Sequence, residues 1–132
     1  LEVASPYMLL VAPIKKERPM PMPKGYASML LWEKLYYERS DVQAITHLDY
    51  SARVQTVNKE TNPKYHELLS QFSAVTGYGL VVNTSFNVRG EPVVCSLYDA
   101  YRCFLSTDMD YLVINNFVYA KKEQPNWENK KH

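Results

Sequence analysis

Short apolar runs of strand length alternate along the chain with stretches of helical periodicity. Apolar and β-branched runs of about four to eight residues, bounded by turn-forming residues, are typical of strands. We expect strands near residues 7–12, 44–48, 52–57, 80–83 and 111–119. The Asn115-Asn116 pair predicts a turn or bulge inside the last of these. Strands interleaved with helices predict an α/β fold with a mixed sheet flanked by helices.

Three stretches have helical spacing. Asn62-Pro63 is the usual order of an N-cap and a first-turn proline, and Gly77 supplies a left-handed stop. Ser96 followed by Asp99 resembles a capping box at the start of another helix. We expect apolar faces of these helices, and of a helix over residues 26–39, to lie in the core. The residues concerned are Tyr26, Met29, Leu30, Trp32, Leu35 and Tyr36, then Tyr65, Leu68, Leu69, Phe72 and Val75, then Leu97, Ala100, Cys103 and Phe104.

Polar residues follow the apolar run Leu80-Val81-Val82 directly. Asn83, Thr84, Ser85 and Asn87 come next, before Arg89-Gly90-Glu91-Pro92 closes the stretch. In open α/β sheets, ligands bind just beyond the carboxyl ends of strands. The alternative is an Asn/Ser-rich loop whose side chains bond only to their own backbone. Arg53 begins another predicted strand, and a guanidinium facing the same crevice would suit a phosphate or carboxylate.

The 132 residues predict one α/β domain over residues 1–120, with a proline-rich loop and extra helix at 13–41. Residues 121–132 are expected to form a frayed polar tail. A net charge of +1 argues against nucleic-acid binding. No apolar run reaches the roughly 20 residues of a membrane span.

The cysteines indicate a cellular compartment, and the first residues indicate whether the chain is part of a longer one. Cys95 and Cys103 lie in neither a metal-binding nor a redox spacing, which indicates reduced packing residues of a cytoplasmic protein and no metal site. The first residues lack both a signal-peptide pattern and an initiator Met, so we expect a piece of a longer chain.

Several separated blocks resemble one enzyme family. They are Thr46-His47-Leu48-Asp49, Ser51-Ala52-Arg53-Val54-Gln55-Thr56-Val57, Asn83-Thr84-Ser85-Phe86-Asn87, Gly90-Glu91-Pro92, Asp99-Ala100, Phe104-Leu105 and Thr107-Asp108. From about Ala44 to Val118 the chain resembles the C-terminal domain of O-carbamoyltransferases, the nodulation-type enzymes and their antibiotic-modifying relatives. Residues 13–41 match that family poorly and look like an elaboration of one lineage.

The resemblance implies a YrdC-like domain, here truncated at its amino-terminal side, that forms carbamoyladenylate from carbamoyl phosphate and ATP. It implies that Arg53, Asn83 and Ser85 contact the adenylate, with Thr84 and Asn87 in the same loop. It also implies a metal-binding Kae1-like domain, absent from this chain, that binds the acceptor and transfers the carbamoyl group to its hydroxyl. No catalytic residue is assigned, and the chain alone should be weak or inert.

Three functions are compatible with the sequence. The first is the adenylate-forming part of a carbamoyltransferase. The second is a non-catalytic assembly module whose helix at 26–39 docks a partner, and the third is an RNA-binding module, which the charge disfavours. Loss of upstream strands would leave sheet edges and apolar surface uncovered, so we expect self-association into a homo-oligomer.

Overall fold

The computed structural model of the chain describes residues 3–15, 17–18 and 20–127. The chain forms two compact units, Leu1–Val82 and Asn83–His132. The first contains strand β1 (Leu10–Pro13), helix α1 (Leu31–Tyr36), strand β2 (Ser51–Val54) and helix α2 (Pro63–Thr76). The second contains helix α3 (Leu97–Leu105), strand β3 (Tyr111–Ile114) and strand β4 (Phe117–Ala120). Short 3-10 turns lie at Tyr26–Ser28, Gln43–Ile45 and Lys121–Glu123.

The sheet of the first unit is an antiparallel pair of β1 and β2, in which Val11 lies opposite Arg53. Ser5 extends the pairing beyond the strands. Its hydroxyl donates to the carbonyl of Val54 at 2.9 Å, and its amide donates to the hydroxyl of Thr56 at 2.8 Å. Since Ser5 is buried, these bonds satisfy polar groups that water does not reach.

A buried arginine organises the region around α1. Arg39 is 4% exposed, and its guanidinium donates to the carbonyls of Tyr37 at 3.1 Å and Thr46 at 3.0 Å, and to that of Lys34. The last carbonyls of a helix have no partner within the helix, so a cation at this end satisfies them and complements the helix dipole. Arg39 therefore closes α1 and ties it to the turn at Gln43–Ile45.

The predicted helix over residues 26–39 is wrong in length and in burial. The segment divides into a 3-10 turn and the six-residue α1. Tyr26 is buried, with its ring edge-on to those of Tyr37 and Tyr50, whereas Leu31, Trp32 and Leu35 are more than half exposed. Helical spacing identified the apolar residues of this segment but did not determine whether they are buried.

The ends of α2 agree with the prediction. The Asn62 side chain accepts a hydrogen bond from the Tyr65 amide at 3.3 Å, Pro63 occupies the first turn, and Gly77 ends the helix at φ 79°. Its apolar face was predicted to be buried, and this is wrong, because no residue of α2 is buried and Val75 is 85% exposed.

The core of the second unit lies between α3 and the hairpin of β3 and β4. Phe104 is fully buried against Leu105 and Leu112, and Phe86 packs on this cluster. Of the residues predicted to be buried on α3, Ala100, Cys103 and Phe104 are buried and Leu97 is exposed. The predicted turn at Asn115-Asn116 joins β3 to β4, with Asn115 in the left-handed region at φ 54°.

The mixture of helices and strands is consistent with the predicted α/β domain. The predicted single mixed sheet is wrong, because the described residues form two two-stranded antiparallel sheets. The strands near 7–12, 52–57 and 111–119 are present with shifted ends. The prediction of a strand at 44–48 is wrong, because this segment is a 3-10 turn followed by a loop. The Thr46 hydroxyl of this segment lies 2.7 Å from that of Ser40. Residues 80–83 lie outside any strand, since no partner strand is present among the described residues.

The single-domain boundary at 1–120 and the frayed tail stay predictions. Lys121–Glu123 forms a 3-10 turn, whereas residues 128–132 of the predicted tail lie outside the described residues. So do residues 16 and 19 of the proline-rich loop. Across the described ranges, no helix is both long and apolar enough to cross a membrane.

The capping box of α3 supports a stability prediction. The Ser96 hydroxyl accepts from the Asp99 amide at 3.1 Å, and the Asp99 carboxylate accepts from the Ser96 amide at 3.1 Å. Ser96→Ala should lower the free energy of unfolding by about 1 kcal/mol, the usual cost of losing an N-cap hydroxyl. Ser106→Ala is the control, because the Ser106 hydroxyl at the other end of α3 only donates to the Cys103 carbonyl. Urea titrations that give equal losses for both variants would contradict the prediction.

The same pair predicts a pH dependence. The hydrogen bond from the Ser96 hydroxyl holds the pKa of Asp99 below its usual value. A carboxyl with a lowered folded-state pKa stabilises above its unfolded-state pKa, and this contribution is lost as the pH falls through the folded-state pKa. The stability difference between the native chain and Ser96→Ala should therefore shrink in acid, as measured by melting curves at a series of pH values.

Candidate functional site

Arg53 lies in the middle of β2 with its side chain exposed. Its side chain forms no hydrogen bond or ion pair with the described residues. Its strand neighbours Ser51 and Ala52 are buried, so the backbone is held in place while the guanidinium stays available. A free fork of donors on a well-held strand suits an anionic ligand.

A tight turn immediately before β2 fixes the start of that strand. The Asp49 carboxylate accepts from the Ser51 amide at 3.0 Å and from the Ser51 hydroxyl at 2.6 Å. The hydroxyl bond lowers the pKa of Asp49. His47 Nδ1 lies 2.9 Å from the same hydroxyl, and Tyr50 takes a left-handed conformation at φ 64°.

Asp49, Tyr50 and Ser51 were not predicted as part of the site. The signal that identifies them is an Asp two residues before a Ser, which forms a side-chain-closed turn. The turn therefore positions Arg53. Ser51 is buried, so its side chain is not available to a ligand.

The polar loop after residue 82 belongs to the second unit. Asn83, Thr84 and Ser85 are exposed. Asn87 differs from them, because its side-chain nitrogen donates to the carbonyls of Val88 and Glu91, each at 3.1 Å. Asn87 thus shapes the loop, as the alternative interpretation of an Asn/Ser-rich loop expected. The side chains of Asn83, Thr84 and Ser85 are exposed to solvent, and the Thr84 hydroxyl lies 3.5 Å from the Ser85 carbonyl.

Three further contacts hold this loop against the second unit. Phe86 packs on the core cluster, and its carbonyl accepts from the Val94 amide at 2.9 Å. Glu91 forms an ion pair with Arg102 of α3 at 3.0 Å. Gly90 turns the chain at φ 90°, a conformation that favours glycine. Sequence reasoning did not assign roles to Phe86 and Arg102, since neither pattern nor spacing shows what a loop packs against.

An open cleft of about 620 Å³ lies in the first unit beyond β2. Its walls come from residues 55–57, from Gly79 and from one face of α2, which carries His66, Leu69, Ser70 and Ser73. Ligand sites commonly have volumes of about 300 to 1,000 Å³. The cleft is therefore large enough for a small molecule and begins two residues after Arg53.

The chemistry of these groups is binding chemistry. A guanidinium supplies charge-assisted donors, and amides and hydroxyls supply neutral donors and acceptors. Within the described ranges, no three His, Cys, Asp or Glu residues are placed to hold a metal ion. Arg53 belongs to the first unit and the polar loop to the second, so the proximity of Arg53 and Ser85 stays a prediction.

Comparison with known proteins matches the chain to a named family. The model of the family described as "Carbamoyltransferase C-terminus" matches residues 1–121. An uncharacterised protein of Synechocystis is 56% identical over 128 residues, which are 97% of this chain and 21% of that protein.

Two relatives with more specific names are also similar. Nodulation protein NolO of Bradyrhizobium diazoefficiens is 46% identical over 60% of this chain and 14% of its own length. The 3'-hydroxymethylcephem-O-carbamoyltransferase of Amycolatopsis lactamdurans is 37% identical over 71% of this chain and 18% of its own. The chain thus spans about a fifth or less of the length of these relatives.

Proposed function

The chain belongs to the carbamoyltransferase C-terminal family, and from this membership we propose that it works within an enzyme that transfers a carbamoyl group to a substrate hydroxyl. The observation that carries the proposal is the family match over residues 1–121. A relative that is named as an O-carbamoyltransferase and matches 71% of this chain supports the proposal. The acceptor would be a secondary metabolite or a glycan.

Within that enzyme, this chain would contribute to forming carbamoyladenylate from carbamoyl phosphate and ATP. Carbamoyl phosphate would first lose its phosphate to water and leave carbamate. An oxygen of the carbamate would then attack the α-phosphorus of ATP, with pyrophosphate as the leaving group. Arg53 would offset the negative charge on the phosphate, and Asn83, Thr84 and Ser85 would bind neutral parts of the nucleotide. The exposure of all four side chains supports these roles. Asn87 would act by shaping the loop.

The complete domain would be YrdC-like, and its partner would be the Kae1-like domain that binds metal and acceptor. The 132 residues alone would be weak or inert, because they offer only part of a nucleotide site. Two reduced cysteines favour a cytoplasmic location, since disulfides are rare there.

The test is carbamoyl-phosphate-dependent release of pyrophosphate from ATP. It is measured on a longer protein, the Synechocystis relative with its matching 128 residues replaced by this chain. We expect pyrophosphate release to rise at least tenfold when carbamoyl phosphate is added. Release that is independent of carbamoyl phosphate, in a protein with a cooperative melting curve, would overturn the proposal.

A second candidate function is a non-catalytic assembly module, and the exposed face of α1 favours it. Leu31, Trp32 and Leu35 are exposed together on this short helix. Its charged residues bond inside the unit, since Glu33 accepts from the Leu30 amide at 2.8 Å and Lys34 donates to the Ala27 carbonyl at 3.0 Å. The outer face is therefore apolar and uncharged, and it suits contact with a second copy of itself.

Self-association through α1 is a testable prediction. Leu35→Asp places a charge in the apolar face and should shift the chain towards monomer in sedimentation equilibrium. Val75→Asp is the matched control, because Val75 is an exposed apolar residue of α2 and its replacement should leave the association unchanged. A monomeric native chain at high concentration would contradict the prediction, as would equal effects of both variants.

The RNA-binding function is the least supported of the three. RNA binding depends strongly on basic residues that contact phosphates. The net charge of this chain is +1, and its 15 basic residues are balanced by 14 acidic ones.

A further inference from the structure

A cavity of about 460 Å³ lies within the second unit, between α3 and the hairpin of β3 and β4. Its volume is in the range of about 300 to 1,000 Å³ that is common for small-molecule sites. Helix α3 contributes Leu97, Tyr98 and Tyr101 to its walls. The hairpin contributes Ile114, Asn115, Phe117 and Tyr119. No residue of the polar loop is among the lining residues, so the cavity is a separate feature of this unit.

The inner wall of the cavity is held in place by the protein itself. Tyr101 and Tyr119 are partly buried against the core cluster around Phe104, and their rings are edge-on with 6.1 Å between the centroids. The Tyr101 hydroxyl donates to the side-chain oxygen of Gln124 at 2.8 Å. The Gln124 side-chain nitrogen in turn donates to the Ala120 carbonyl at 3.0 Å. The Tyr101 ring is therefore fixed before a ligand arrives, and a preformed wall avoids the cost of ordering it on binding.

The outer wall is apolar and open to solvent. Leu97, Tyr98 and Phe117 are 68%, 71% and 66% exposed, so a ligand reaches them without a change in the fold. Large apolar side chains that are exposed together commonly mark a binding site. Asn115, in the turn between β3 and β4, adds an amide that can both donate and accept a hydrogen bond.

The lining residues determine which ligand chemistry suits the cavity. Among the seven described residues that line it, four carry aromatic rings and none carries a charged side chain. A charged ligand would lose hydration here without gaining an opposite charge. A planar aromatic ligand would contact the faces and edges of tyrosine and phenylalanine rings, and each favourable ring pair strengthens binding about two- to tenfold beyond the effect of buried area.

We propose that this cavity binds a free, uncharged small molecule with one or two fused aromatic rings and a hydroxyl or carbonyl group. A small molecule suits the cavity better than a flat protein surface does, because a flat surface would leave the concave space unfilled and its lining without contacts. The inference goes beyond the proposed function, because none of the residues proposed to contact the nucleotide lines the cavity. Its test measures binding and does not depend on carbamoyl transfer.

The experiment is a titration with 2-naphthol, a neutral molecule with two fused aromatic rings and one hydroxyl. Binding is followed by the NMR chemical shifts of the amides in this chain, and by calorimetry of the Synechocystis relative that carries this chain. We expect saturable binding of one molecule in both proteins, with the largest shifts at residues 97–101 and 114–119.

Two analogues of 2-naphthol test the ligand class. Decahydro-2-naphthol keeps the hydroxyl and loses the aromatic rings, whereas 2-naphthoate keeps the rings and adds a negative charge. Each should bind at least about tenfold more weakly than 2-naphthol, the first because the ring contacts are lost and the second because the charge is desolvated.

Substitutions in the outer wall test the ring contacts directly. Phe117→Leu keeps an apolar side chain and removes a ring, so 2-naphthol should bind about two- to tenfold more weakly while decahydro-2-naphthol binds as before. Tyr98→Ala removes both ring and apolar area and should weaken 2-naphthol binding further. Tyr111→Ala is the matched control, because Tyr111 is a 60% exposed aromatic residue of β3 that does not line the cavity. If a variant fails to fold, the analogue series on the unmodified proteins decides.

Each of the other outcomes overturns the proposal. Absence of saturable binding to the chain would show that the cavity holds no aromatic ligand. Binding to the chain but not to the longer protein would show that the rest of the enzyme covers the cavity. Equal affinity for 2-naphthol and decahydro-2-naphthol would indicate a general apolar surface, and an equal loss in Tyr111→Ala would place the binding elsewhere. Shifts at the lining residues that grow with protein concentration before ligand is added would identify a second copy as the occupant.

Discussion

Replacing Arg53 by alanine is expected to lower carbamoyl-phosphate-dependent pyrophosphate release by roughly 10- to 100-fold. A charge-assisted hydrogen bond contributes about 1.5–3 kcal/mol, which corresponds to that range of rates. Folding should be unaffected, because the Arg53 side chain is exposed and bonds to none of the described residues. The measurement is made on the Synechocystis relative carrying this chain, with a melting curve for each variant.

Asn83→Ala is the comparison for Arg53→Ala. A neutral hydrogen bond contributes about 0.5–1.5 kcal/mol, so its loss should lower the same rate by only about 2- to 10-fold. Arg53→Lys keeps the charge without the planar fork and should fall between the two alanine variants. Normal turnover in Arg53→Ala would remove Arg53 from the site, and a collapsed melting temperature would show that its role is structural.

Arg39→Ala should be among the most destabilising substitutions in the first unit. The guanidinium is buried and donates to backbone carbonyls of α1 and of Thr46. Alanine would remove the guanidinium donors from these carbonyls, of which only that of Tyr37 also accepts from the Gln43 side chain, at 2.7 Å. We expect the free energy of unfolding to fall by about 3 kcal/mol. The measurement is urea denaturation followed by circular dichroism.

Arg18→Ala is the matched control for Arg39→Ala. Arg18 forms an ion pair with Asp41 at 2.6 Å and lies over the ring of Tyr78, but its side chain is 36% exposed. Exposed ion pairs contribute about 1 kcal/mol or less. A loss for Arg39→Ala no larger than that for Arg18→Ala would show that the buried guanidinium is not what closes α1.

The outcomes at helix ends show which features are local. Asn62, Gly77, Ser96 and Asp99 were all predicted as caps or stops, and each has that role in the structure. Capping depends on hydrogen bonds between residues within about four positions, so a short stretch of sequence contains all the partners. The turn at Asn115 and Asn116 was predictable for the same reason.

The outcomes for sheets and buried faces show which features are not local. The apolar faces of residues 26–39 and of α2 were predicted from periodicity, yet Trp32 and Val75 are exposed. Residues 80–82 have a composition that suits a strand, yet they lie in neither of the sheets formed by the described residues. Periodicity tells which side of an element is apolar, whereas burial and pairing require a second surface from elsewhere.

The candidate site divides in the same way. The motif blocks predict Arg53 and the polar loop as site residues, and this stays a prediction. The family match over residues 1–121 confirms the family that those blocks indicated. The sequence by itself therefore determined the family, the two ends of α2 and the start of α3, because these depend on residue identity and on near neighbours. Only the tertiary structure showed that Arg39 closes α1, that Asn87 is used within its own loop and that Phe86 anchors that loop. Those roles depend on which carbonyl or side chain folding brings within a few ångströms, and spacing along the chain does not contain that information.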